Sequence, residues 1–338
     1  MKILVTGGAG YVGSVVIPEL VKEGHDIKCL DRFFFGSEYL SRKEFENKVE
    51  LIKDDIRWFD PKILDSVDVV MDLAALSNDP VGDLDPNKTF DINHLGRSRV
   101  ARLSKNAGVK KYILASSASI YGQQDNVVDE NAKPNPLTAY SKANRRVEVD
   151  NLSLNDDDFT VTALRFSSIY GLSPRMRFDL AVNSMALELY KTGKIIVRGK
   201  SNIRPFLHIK DAARAYSMVI NAPKDKLGGQ IFNVGSDSQN YQMDKLAAEV
   251  GNSIGKKYEL ELKDTQDHRS YAASFKKIKD TLGFTTKFTV ADGSVEIYRA
   301  LESGELIDSN KTITVEWYKH LQSIHALSKE ISLRDVVL

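Results

Sequence analysis

A glycine-rich segment near the N-terminus has the residue types and spacing needed to bind phosphate. It reads TGGAGYVG from Thr6 to Gly13 and stands between an apolar run and an amphipathic stretch. Gly7 permits a tight turn, Gly10 lets a pyrophosphate approach the backbone, and Gly13 lets the following helix pack closely on a strand. The N-terminus of that helix would offer N–H groups and a partial positive charge to the phosphates. The segment therefore predicts a dinucleotide-binding turn, rather than a strand-to-helix turn without a ligand.

An acidic residue after the second apolar run indicates which dinucleotide this turn binds. Asp31 follows Gly13 at close to the spacing of about 20 residues at which a carboxylate meets the adenosine ribose. Its carboxylate would accept a hydrogen bond from the ribose 2′-hydroxyl group and repel a 2′-phosphate. The neighbouring Arg32 is a complication, because an arginine at this place can accommodate the 2′-phosphate of NADP. The predicted cofactor is NAD.

Short β-branched apolar runs alternate with amphipathic stretches, and these elements must position the turn. Near-continuous apolar strands separated by helices predict an α/β protein with a Rossmann-type, doubly wound parallel sheet and a smaller C-terminal substrate-binding lobe. Strands are predicted at 3–5, 27–30, 49–52, 67–73, 111–115, 161–164 and 231–234, and helices at 12–22, 87–107 and 139–152.

The sequence changes in character at about residue 172, where proline, arginine and mixed charges replace the regular alternation. We therefore assign residues 1–171 to an NAD-binding domain, with residues 205–236 returning to it. Residues 172–204 and 237–338 are assigned to the substrate-binding lobe. Within that lobe, residues 320–338 are compatible with a final helix or a mobile tail.

The spacing Gly-x-x-Gly-x-x-Gly, together with further motifs in order, resembles the extended short-chain dehydrogenase/reductase family. The resemblance is to its NAD-dependent nucleotide-sugar epimerases and dehydratases, and in particular to enzymes of the UDP-glucose 4-epimerase type. It covers nearly all of the first 300 residues. The further motifs are Asp55-Ile56, Leu73-Ala74-Ala75, Asn93, SSASIYG at 116–122, Tyr140, LRF at 164–166, Tyr170-Gly171, RPFLHIKD at 204–211, FNVG at 232–235 and DHRSY at 267–271.

The resemblance implies a set of residues that hold the cofactor. Asp55 and Ile56 would contact the adenine, and Ala74 and Ala75 would pass close to the cofactor, where a larger side chain could clash. Taken singly, these residues are equally compatible with a turn carboxylate, a core isoleucine and a pair of alanines at a strand end. The implied set also contains Gly7, Gly10, Gly13, Tyr11, Val12, Asp31, Arg32, Leu73, Asn93, Tyr140 and Asn144.

The resemblance also implies a catalytic pair, and here the sequence departs from the family pattern. Tyr140 matches the family's tyrosine base, and Ser117 matches the serine that orients the sugar hydroxyl. The family pattern is Tyr-x-x-x-Lys, but residue 144 is asparagine. Asn144 could hydrogen-bond a ribose hydroxyl, yet it carries no charge to stabilise a phenolate. Lys142 cannot replace the lysine, because two helical residues rotate it roughly 200° away.

A second departure argues against dehydration. The family's 4,6-dehydratases carry an Asp-Glu pair directly after the serine or threonine, whereas this chain has Ala118 and Ser119. Without these carboxylates, dehydration lacks its acid and base. Decarboxylases of the family likewise use an acidic residue at the place of Ser119. The segment resembles the epimerase version of the motif.

A nucleotide-sugar diphosphate needs arginines, whose forked donors match phosphate oxygens. Arg204 and Arg269 fall in family motifs that contact the diphosphate, and Arg177 is a third candidate, although each is also compatible with a surface ion pair. Ser77 and Ser168 complete the predicted substrate-binding set. Ser168 stands where many epimerases have asparagine, so the sequence leaves the nucleotide and the sugar open.

Three functions are compatible with these residues. The favoured one is an NAD-dependent nucleotide-sugar epimerase acting at C4 through a 4-keto intermediate. The first alternative is a nucleotide-sugar 4-dehydrogenase or keto-sugar reductase that exchanges NAD(P)(H). The second alternative, suggested by Asn144, is a non-catalytic protein that binds NAD or a nucleotide sugar.

Composition limits the partners and the compartment. Lys and Arg number 47 and Asp and Glu 46, and the net charge of +1 argues against a nucleic-acid binder. One cysteine excludes an internal disulfide, and no ligand spacing indicates a metal. Without a signal peptide or an apolar run of roughly 20 residues, the prediction is a cytoplasmic protein with no membrane segment. The resemblance further implies a homodimer formed through helices 87–107 and 139–152, although their apolar faces are equally expected of core helices.

Overall fold

A seven-stranded parallel sheet lies at the centre of the computed structural model, which describes residues 1–263 and 267–332. Its strands are β1 (Lys2–Thr6), β2 (Asp26–Asp31), β3 (Val49–Lys53), β4 (Val69–Asp72), β5 (Lys111–Ser117), β6 (Thr160–Phe166) and β10 (Gln230–Val234). They are arranged in the order β3-β2-β1-β4-β5-β6-β10. Every residue of β6 is buried, as expected for a strand covered on both faces. The predicted doubly wound parallel sheet is confirmed.

Helices cover both faces of this sheet. The helices around the main sheet are α1 (Gly13–Lys22), α2 (Asp79–Gly82), α3 (Pro86–Phe90), α4 (Arg97–Asn106), α5 (Ala139–Leu152), α7 (Ile209–Asn221), α8 (Lys224–Leu227) and α10 (Lys276–Leu282). On one face α1 packs against α7, and on the other α4 and α5 pack over β4, β5 and β6.

The strand order reverses at β1, whose two neighbours are β2 and β4. Chains leaving such neighbouring strands diverge and open a crevice at the carboxyl ends of the strands, where ligands bind in this class of fold. The Thr6 hydroxyl at the end of β1 accepts hydrogen bonds from the backbone N–H groups of Leu73 and Ala74, both at 3.2 Å. The glycine-rich turn and the loop after β4 are thereby held together at this crevice.

Two small sheets build the second lobe. One contains β7 (Ser168–Tyr170), β9 (Ile203–His208) and β11 (Asn240–Gln242), and the other contains β8 (Lys194–Arg198) and β12 (Glu259–Lys263). The helices that pack on them are α6 (Ala181–Thr192), α9 (Met243–Ile254) and α11 (Val290–Glu302).

Two segments near the predicted domain boundaries pack across the division between the main sheet and the lobe. Residues 205–208 belong to β9, which pairs with β7 in the small sheet, yet Leu207 is buried in the same core as the strands of the main sheet. Residues 271–284 were assigned to the lobe, and Tyr271, Phe275 and Phe284 are buried in that same core. The apolar pattern identifies a buried segment but does not show which sheet buries it, so the division into domains stays a prediction.

The helix predicted at 87–107 is one helical segment in three parts. Its middle part, Asp91–Gly96, is a π-helical turn between α3 and α4. A π turn widens the helix by one residue and changes the direction of the side chains that follow, often at functional sites. Arg97 is the first residue after it. By contrast, α5 has the predicted bounds.

The C-terminal segment is helical through most of its length. Residues 314–331 form α12 (Thr314–Ile331), whose Tyr318 ring packs edge-on against Phe34 and Phe35 at centroid distances of 5.9 and 5.5 Å. The described part of 320–338 is therefore a helix, and residues 333–338 lie outside the described residues. Within residues 1–263 and 267–332, no helix combines the length and apolar character needed to cross a membrane.

Candidate active site

One large cavity lies over the carboxyl ends of the central strands, between the main sheet and the lobe. Its volume is about 1700 Å³, whereas a site for one drug-sized ligand occupies about 300–1,000 Å³. The glycine-rich turn lines one part, and Tyr140, Ser117 and the three predicted arginines line another. The cavity therefore has room for a cofactor and a second ligand.

The glycines of the turn make a close-fitting cradle. Gly7 has φ +66°, and a Cβ there would lie 2.6 Å from the Ala74 Cα atom. A Cβ at Gly13 would lie 2.4 Å from the carbonyl oxygen of Gly8, whereas at Gly10 the nearest atom, the Gly7 oxygen, is 3.1 Å away. Gly7 and Gly13 thus fold the turn, and Gly10 leaves space at the start of α1. This arrangement fits a pyrophosphate at the N-terminus of the helix.

Asp31 lies at the end of β2 beside this cradle. Its carboxylate accepts hydrogen bonds from the N–H groups of Ala9 at 3.0 Å and Phe33 at 2.8 Å. Burial raises the pKa of Asp31, against the effect of these hydrogen bonds. Arg32 donates to Asp55 at 2.8 Å. The Asp31 carboxylate beside the cradle would repel a 2′-phosphate, which is consistent with NAD.

Three predicted cofactor residues beyond the cradle differ in their surroundings. Asp55 and Ile56, predicted to contact the adenine, both line the cavity, and the Asp55 carboxylate also accepts two side-chain hydrogen bonds from Arg57, both at 2.9 Å. Burial acts to raise the pKa of Asp55, but the hydrogen bonds from Arg57 and Arg32 outweigh the effect of burial and hold this pKa at about 2. Asn93 is fully buried, and its amide hydrogen-bonds the backbone N–H and carbonyl of Leu76, at 2.8 and 3.0 Å. Asn93 therefore positions the loop after β4, and its contact with the cofactor stays a prediction.

The turn residues that follow Gly10 act partly through their side chains. The Tyr11 hydroxyl donates to the carbonyl of Gly171 at 2.7 Å and accepts from Asn183 at 3.1 Å. This side chain therefore ties the turn to the start of the lobe. The remaining predicted cofactor residues line the cavity, namely Val12, Leu73, Ala74, Ala75, Tyr140 and Asn144.

Arg175 is a cavity residue that the sequence analysis missed. It is 6% exposed, its guanidinium stacks on Phe35 at 3.7 Å, and Nη2 donates to the Thr314 hydroxyl at 3.0 Å. Its Nε and Nη1 atoms are buried without a hydrogen-bond partner among the described residues. Burial lowers its pKa to about 10. A buried cation with unused donors beside Asp31 and the cradle fits the anionic part of a dinucleotide.

We expect Arg175→Met to weaken NAD binding by about 10- to 100-fold, because it removes a charge-assisted hydrogen bond. Isothermal titration calorimetry of NAD binding measures the effect, with Arg299→Met on the exposed end of α11 as the control. Equal affinities in both variants would show that Arg175 does not contact the cofactor.

Tyr140 is held at the start of α5, facing the end of β5. The helix begins with a capping box between Thr138 and Ser141. Gly82 packs so closely on Tyr140 that a Cβ there would lie 3.0 Å from the tyrosine Cβ. Burial and the charge of Asp79 raise the pKa of Tyr140, whereas hydrogen bonding with Ser117 lowers it. The structure thus brings the predicted Tyr140–Ser117 pair together.

Asn144 lies one helical turn after Tyr140, and both ends of its side-chain amide make hydrogen bonds. Its Nδ2 atom donates to the backbone carbonyl of Tyr140 at 3.1 Å, and its Oδ1 atom accepts from Arg97 Nη1 at 3.2 Å. Neither Arg97 nor its buried partner Asp72 was predicted from the sequence. The signal that could have found them is the charged residue that ends the apolar run Val69–Met71.

The three predicted substrate arginines are paired with carboxylates. Arg177 makes two hydrogen bonds to Asp179 and donates to the Ser77 hydroxyl at 3.0 Å. Arg269 binds Asp79 and Asp267, and Arg204 also reaches Asp267 at 3.1 Å. Burial acts to raise the pKa of Asp267, but the hydrogen bonds and charge of Arg269 outweigh it and hold it at about 2. These arginines were predicted from the sequence, whereas their acidic partners were not.

Two serines face the same cavity as the arginines. Ser168 lines it at the start of β7, and Ser119 contributes a buried Oγ atom with no hydrogen-bond partner among the described residues. His208 instead pairs with Glu296 at 2.8 Å. In residues 1–263 and 267–332, no cluster of three or more His, Cys, Asp or Glu residues is arranged to hold a metal ion.

A doubly wound sheet with a dinucleotide cradle and a Tyr–Ser pair in one cavity defines an NAD-binding enzyme of the short-chain dehydrogenase/reductase type. The chain belongs to the NAD dependent epimerase/dehydratase family, whose sequence profile matches residues 3–235. This membership confirms the predicted family, the prediction of an enzyme and NAD as its cofactor.

Relatives of known name agree with this class. UDP-glucose 4-epimerase of Lactobacillus helveticus is 27% identical over 314 residues, covering 86% of this chain and 94% of that protein. UDP-glucuronic acid decarboxylase 4 of Arabidopsis thaliana is 25% identical and covers 87% of this chain and 67% of its own length. The solved structure of UDP-glucuronic acid 4-epimerase from Bacillus cereus, in complex with UDP-glucuronic acid and NAD, shares the fold with a TM-score of 0.81. It is 23% identical and covers 90% of this chain and 99% of its own.

Proposed function

We propose that this enzyme is an NAD-dependent nucleotide-sugar epimerase that acts at C4 through a 4-keto intermediate. The observation that carries the proposal is the position of Tyr140 and Ser117 in one cavity, between the glycine cradle and the arginines. The epimerases among its relatives support it.

The residues divide the reaction between them. The glycine-rich turn, Asp31 and Arg175 would hold NAD, which when bound supplies the acceptor and donor of hydride. Tyr140 removes the proton from the C4 hydroxyl, and Ser117 orients that hydroxyl. After the 4-keto sugar has rotated in the site to present its other face, Tyr140 returns the proton to the C4 oxygen. Arg177, Arg204 and Arg269 would keep the nucleotide diphosphate anchored during this rotation.

The residues after Ser117 favour epimerisation over elimination or decarboxylation. Ala118 and Ser119 provide no carboxyl group to protonate a leaving hydroxyl or to take a proton from C5. The Ser119 hydroxyl, which has no hydrogen-bond partner among the described residues, can instead hydrogen-bond the sugar without taking part in proton transfer.

A panel of UDP-, GDP-, dTDP- and CDP-sugars, followed by NMR, tests the proposal. We expect a C4 epimer from at least one sugar without net consumption of NAD. Turnover that consumes NAD(H) in stoichiometric amounts would select a dehydrogenase or reductase. NAD binding without turnover of any sugar would select the non-catalytic alternative.

The role of the arginines gives a separate prediction. We expect Arg269→Met to raise the KM for the nucleotide sugar by about 10- to 100-fold, because a charge-assisted contact to the diphosphate is lost. Its affinity for NAD should stay within twofold of the parent enzyme, which calorimetry measures. Lys245→Met, on the lobe helix α9, serves as a control, and a change in NAD affinity but not KM would contradict this assignment.

The predicted homodimer and the cytoplasmic location extend this proposal. Leu95 and Val149, on the two helical segments predicted to pair, are 55% and 51% exposed. Sedimentation equilibrium of the protein and of Leu95→Glu measures whether these residues form a dimer interface.

A further inference from the structure

The missing lysine leaves Tyr140 in need of another positive charge, if the proposed function holds. Tyr140 is buried, and forming a phenolate in such a place is costly unless a cation is near. The charged and titratable groups that face it are Asp79 on α2, Arg97 on α4, Arg177 in the lobe and Tyr216 on α7. Arg177 donates two hydrogen bonds to the Asp179 carboxylate, which largely neutralises the charge of its guanidinium.

Arg97 reaches this place from a different helix. Its side chain is 1% exposed, and its Nη1 atom donates to Asn144 Oδ1 at 3.2 Å. Nη2 donates to the backbone carbonyls of Asp72 at 2.8 Å and Ala115 at 2.7 Å. The guanidinium is therefore fixed between the ends of β4 and β5 and the residue that follows Tyr140 by one helical turn.

Asp72 holds the other side of the guanidinium. Its carboxylate is fully buried and accepts from Arg97 Nε at 2.9 Å, from Thr6 Oγ1 at 2.6 Å and from the Tyr112 hydroxyl at 2.5 Å. Because Asp72 binds the Nε edge, the Nη1 edge and its share of the charge point towards Asn144. The ion pair is thus an oriented dipole with its positive end on the side of Tyr140.

Asn144 is the residue type that this arrangement requires. A lysine at 144 would place an ammonium group next to the Arg97 guanidinium, so that two cations would share a buried site at high cost. Asparagine accepts from Arg97 through Oδ1 and donates to the Tyr140 carbonyl through Nδ2, so both ends of its amide are satisfied. Arg97 and Asn144 are therefore a matched pair.

We propose that Arg97, held by Asp72 and linked to α5 through Asn144, supplies the positive charge for the Tyr140 phenolate that a lysine at 144 would otherwise supply. In this role Arg97 is a positioning residue that acts through Tyr140. The charge of Arg97 lowers the pKa of Tyr140, against the effects of burial and of Asp79. The inference rests on the proposed function for its catalytic meaning, but the ionisation of Tyr140 can be measured without turnover.

The test removes the charge without leaving Asp72 unpaired. In the variant Arg97→Gln/Asp72→Asn both members of the ion pair become neutral hydrogen-bonding groups, and Asn144→Lys is then added as a third substitution. Tyrosine labelled with ¹³C at Cζ reports ionisation of the phenol by NMR, and the Tyr140 resonance is assigned by its loss in Tyr140→Phe. Arg102→Gln, at an exposed site on α4, is the control.

We expect the double variant to raise the midpoint of Tyr140 ionisation by about one to three pH units, and the triple variant to bring it back. The acidic limb of the kcat/KM profile should move by the same amount, because Tyr140 acts as a base only when ionised. Asn144→Lys alone should lower thermal stability, while Arg97→Lys should keep the midpoint within one pH unit of the parent protein. An unchanged midpoint in a folded double variant would overturn the inference, whether or not the enzyme turns over. A shifted midpoint without turnover of any nucleotide sugar would support the inference and count against the proposed function.

Discussion

Tyr140→Phe is expected to lower kcat by about 10²- to 10⁴-fold, the usual contribution of a general acid–base group. The substitution removes only the hydroxyl group, and the Cβ and backbone of residue 140 keep their packing against Gly82. The affinity for NAD and for the nucleotide sugar should therefore change little. Steady-state kinetics and calorimetry on the same preparation measure the two quantities.

The matched control is Tyr190→Phe on α6, because the Tyr190 side chain is exposed. It should leave kcat within twofold of the parent enzyme. A Tyr140→Phe enzyme that keeps more than a tenth of the parent kcat would show that another group accepts the proton. Ser117→Ala would then be informative, since Ser117 is the nearest hydroxyl assigned to the reacting oxygen.

Gly7→Ala is expected to have the second large effect, on both stability and NAD binding. The left-handed φ of +66° alone costs an alanine about 1–2 kcal/mol. Its Cβ would also lie 2.6 Å from the Ala74 Cα atom, so the turn and the loop after β4 must move apart. Because these two segments form the cradle, we expect NAD affinity to fall by at least tenfold.

Gly24→Ala separates the two causes. Gly24 has φ +87°, and a Cβ there would meet nothing within 4 Å. The Gly24→Ala variant should lose only the unfolding free energy that the left-handed φ costs an alanine, and it should keep full affinity for NAD. Thermal unfolding with and without NAD measures both variants. Equal losses of stability and of affinity in the two variants would contradict the close contact between Gly7 and Ala74.

The sequence was sufficient to predict what local patterns encode. The run Lys2–Thr6, the glycine spacing and Asp31 predict a strand, a turn and a ribose-side acid, and the structure has these elements in the predicted order. Helix α5 was predicted at its observed bounds, and the structure adds the Thr138 cap at its start. Family resemblance then singled out Tyr140, Ser117 and three arginines, and the structure has all five on one cavity.

What the sequence did not predict depends on contacts between distant segments. Arg97 and Asp72 belong to different elements, and their pairing follows from the packing of α4 against the ends of β4 and β5. The π turn that precedes Arg97 has no counterpart in a regular helical pattern. Asn93 shows the same limit, because the motif that marks it does not reveal its hydrogen bonds to the Leu76 backbone.

The departure at residue 144 is the clearest case. From the sequence, an asparagine in place of lysine suggested weakened chemistry or none. In the structure the same asparagine accepts a hydrogen bond from a buried arginine, which a lysine could not do. The absence of a lysine charge at residue 144 is thus compatible with a positive charge near Tyr140, because Arg97 also carries one.

Epimerisation in D₂O tests the central claim most directly. The holoenzyme is incubated with the nucleotide sugar selected from the panel, and NMR follows the hydrogen at C4 of the product. If C4 is oxidised and reduced within one closed site, the C4 epimer forms with its original hydrogen and no solvent deuterium, and no added NADH is needed. Deuterium at C4, a dehydrated product, or conversion only with stoichiometric cofactor would contradict the account.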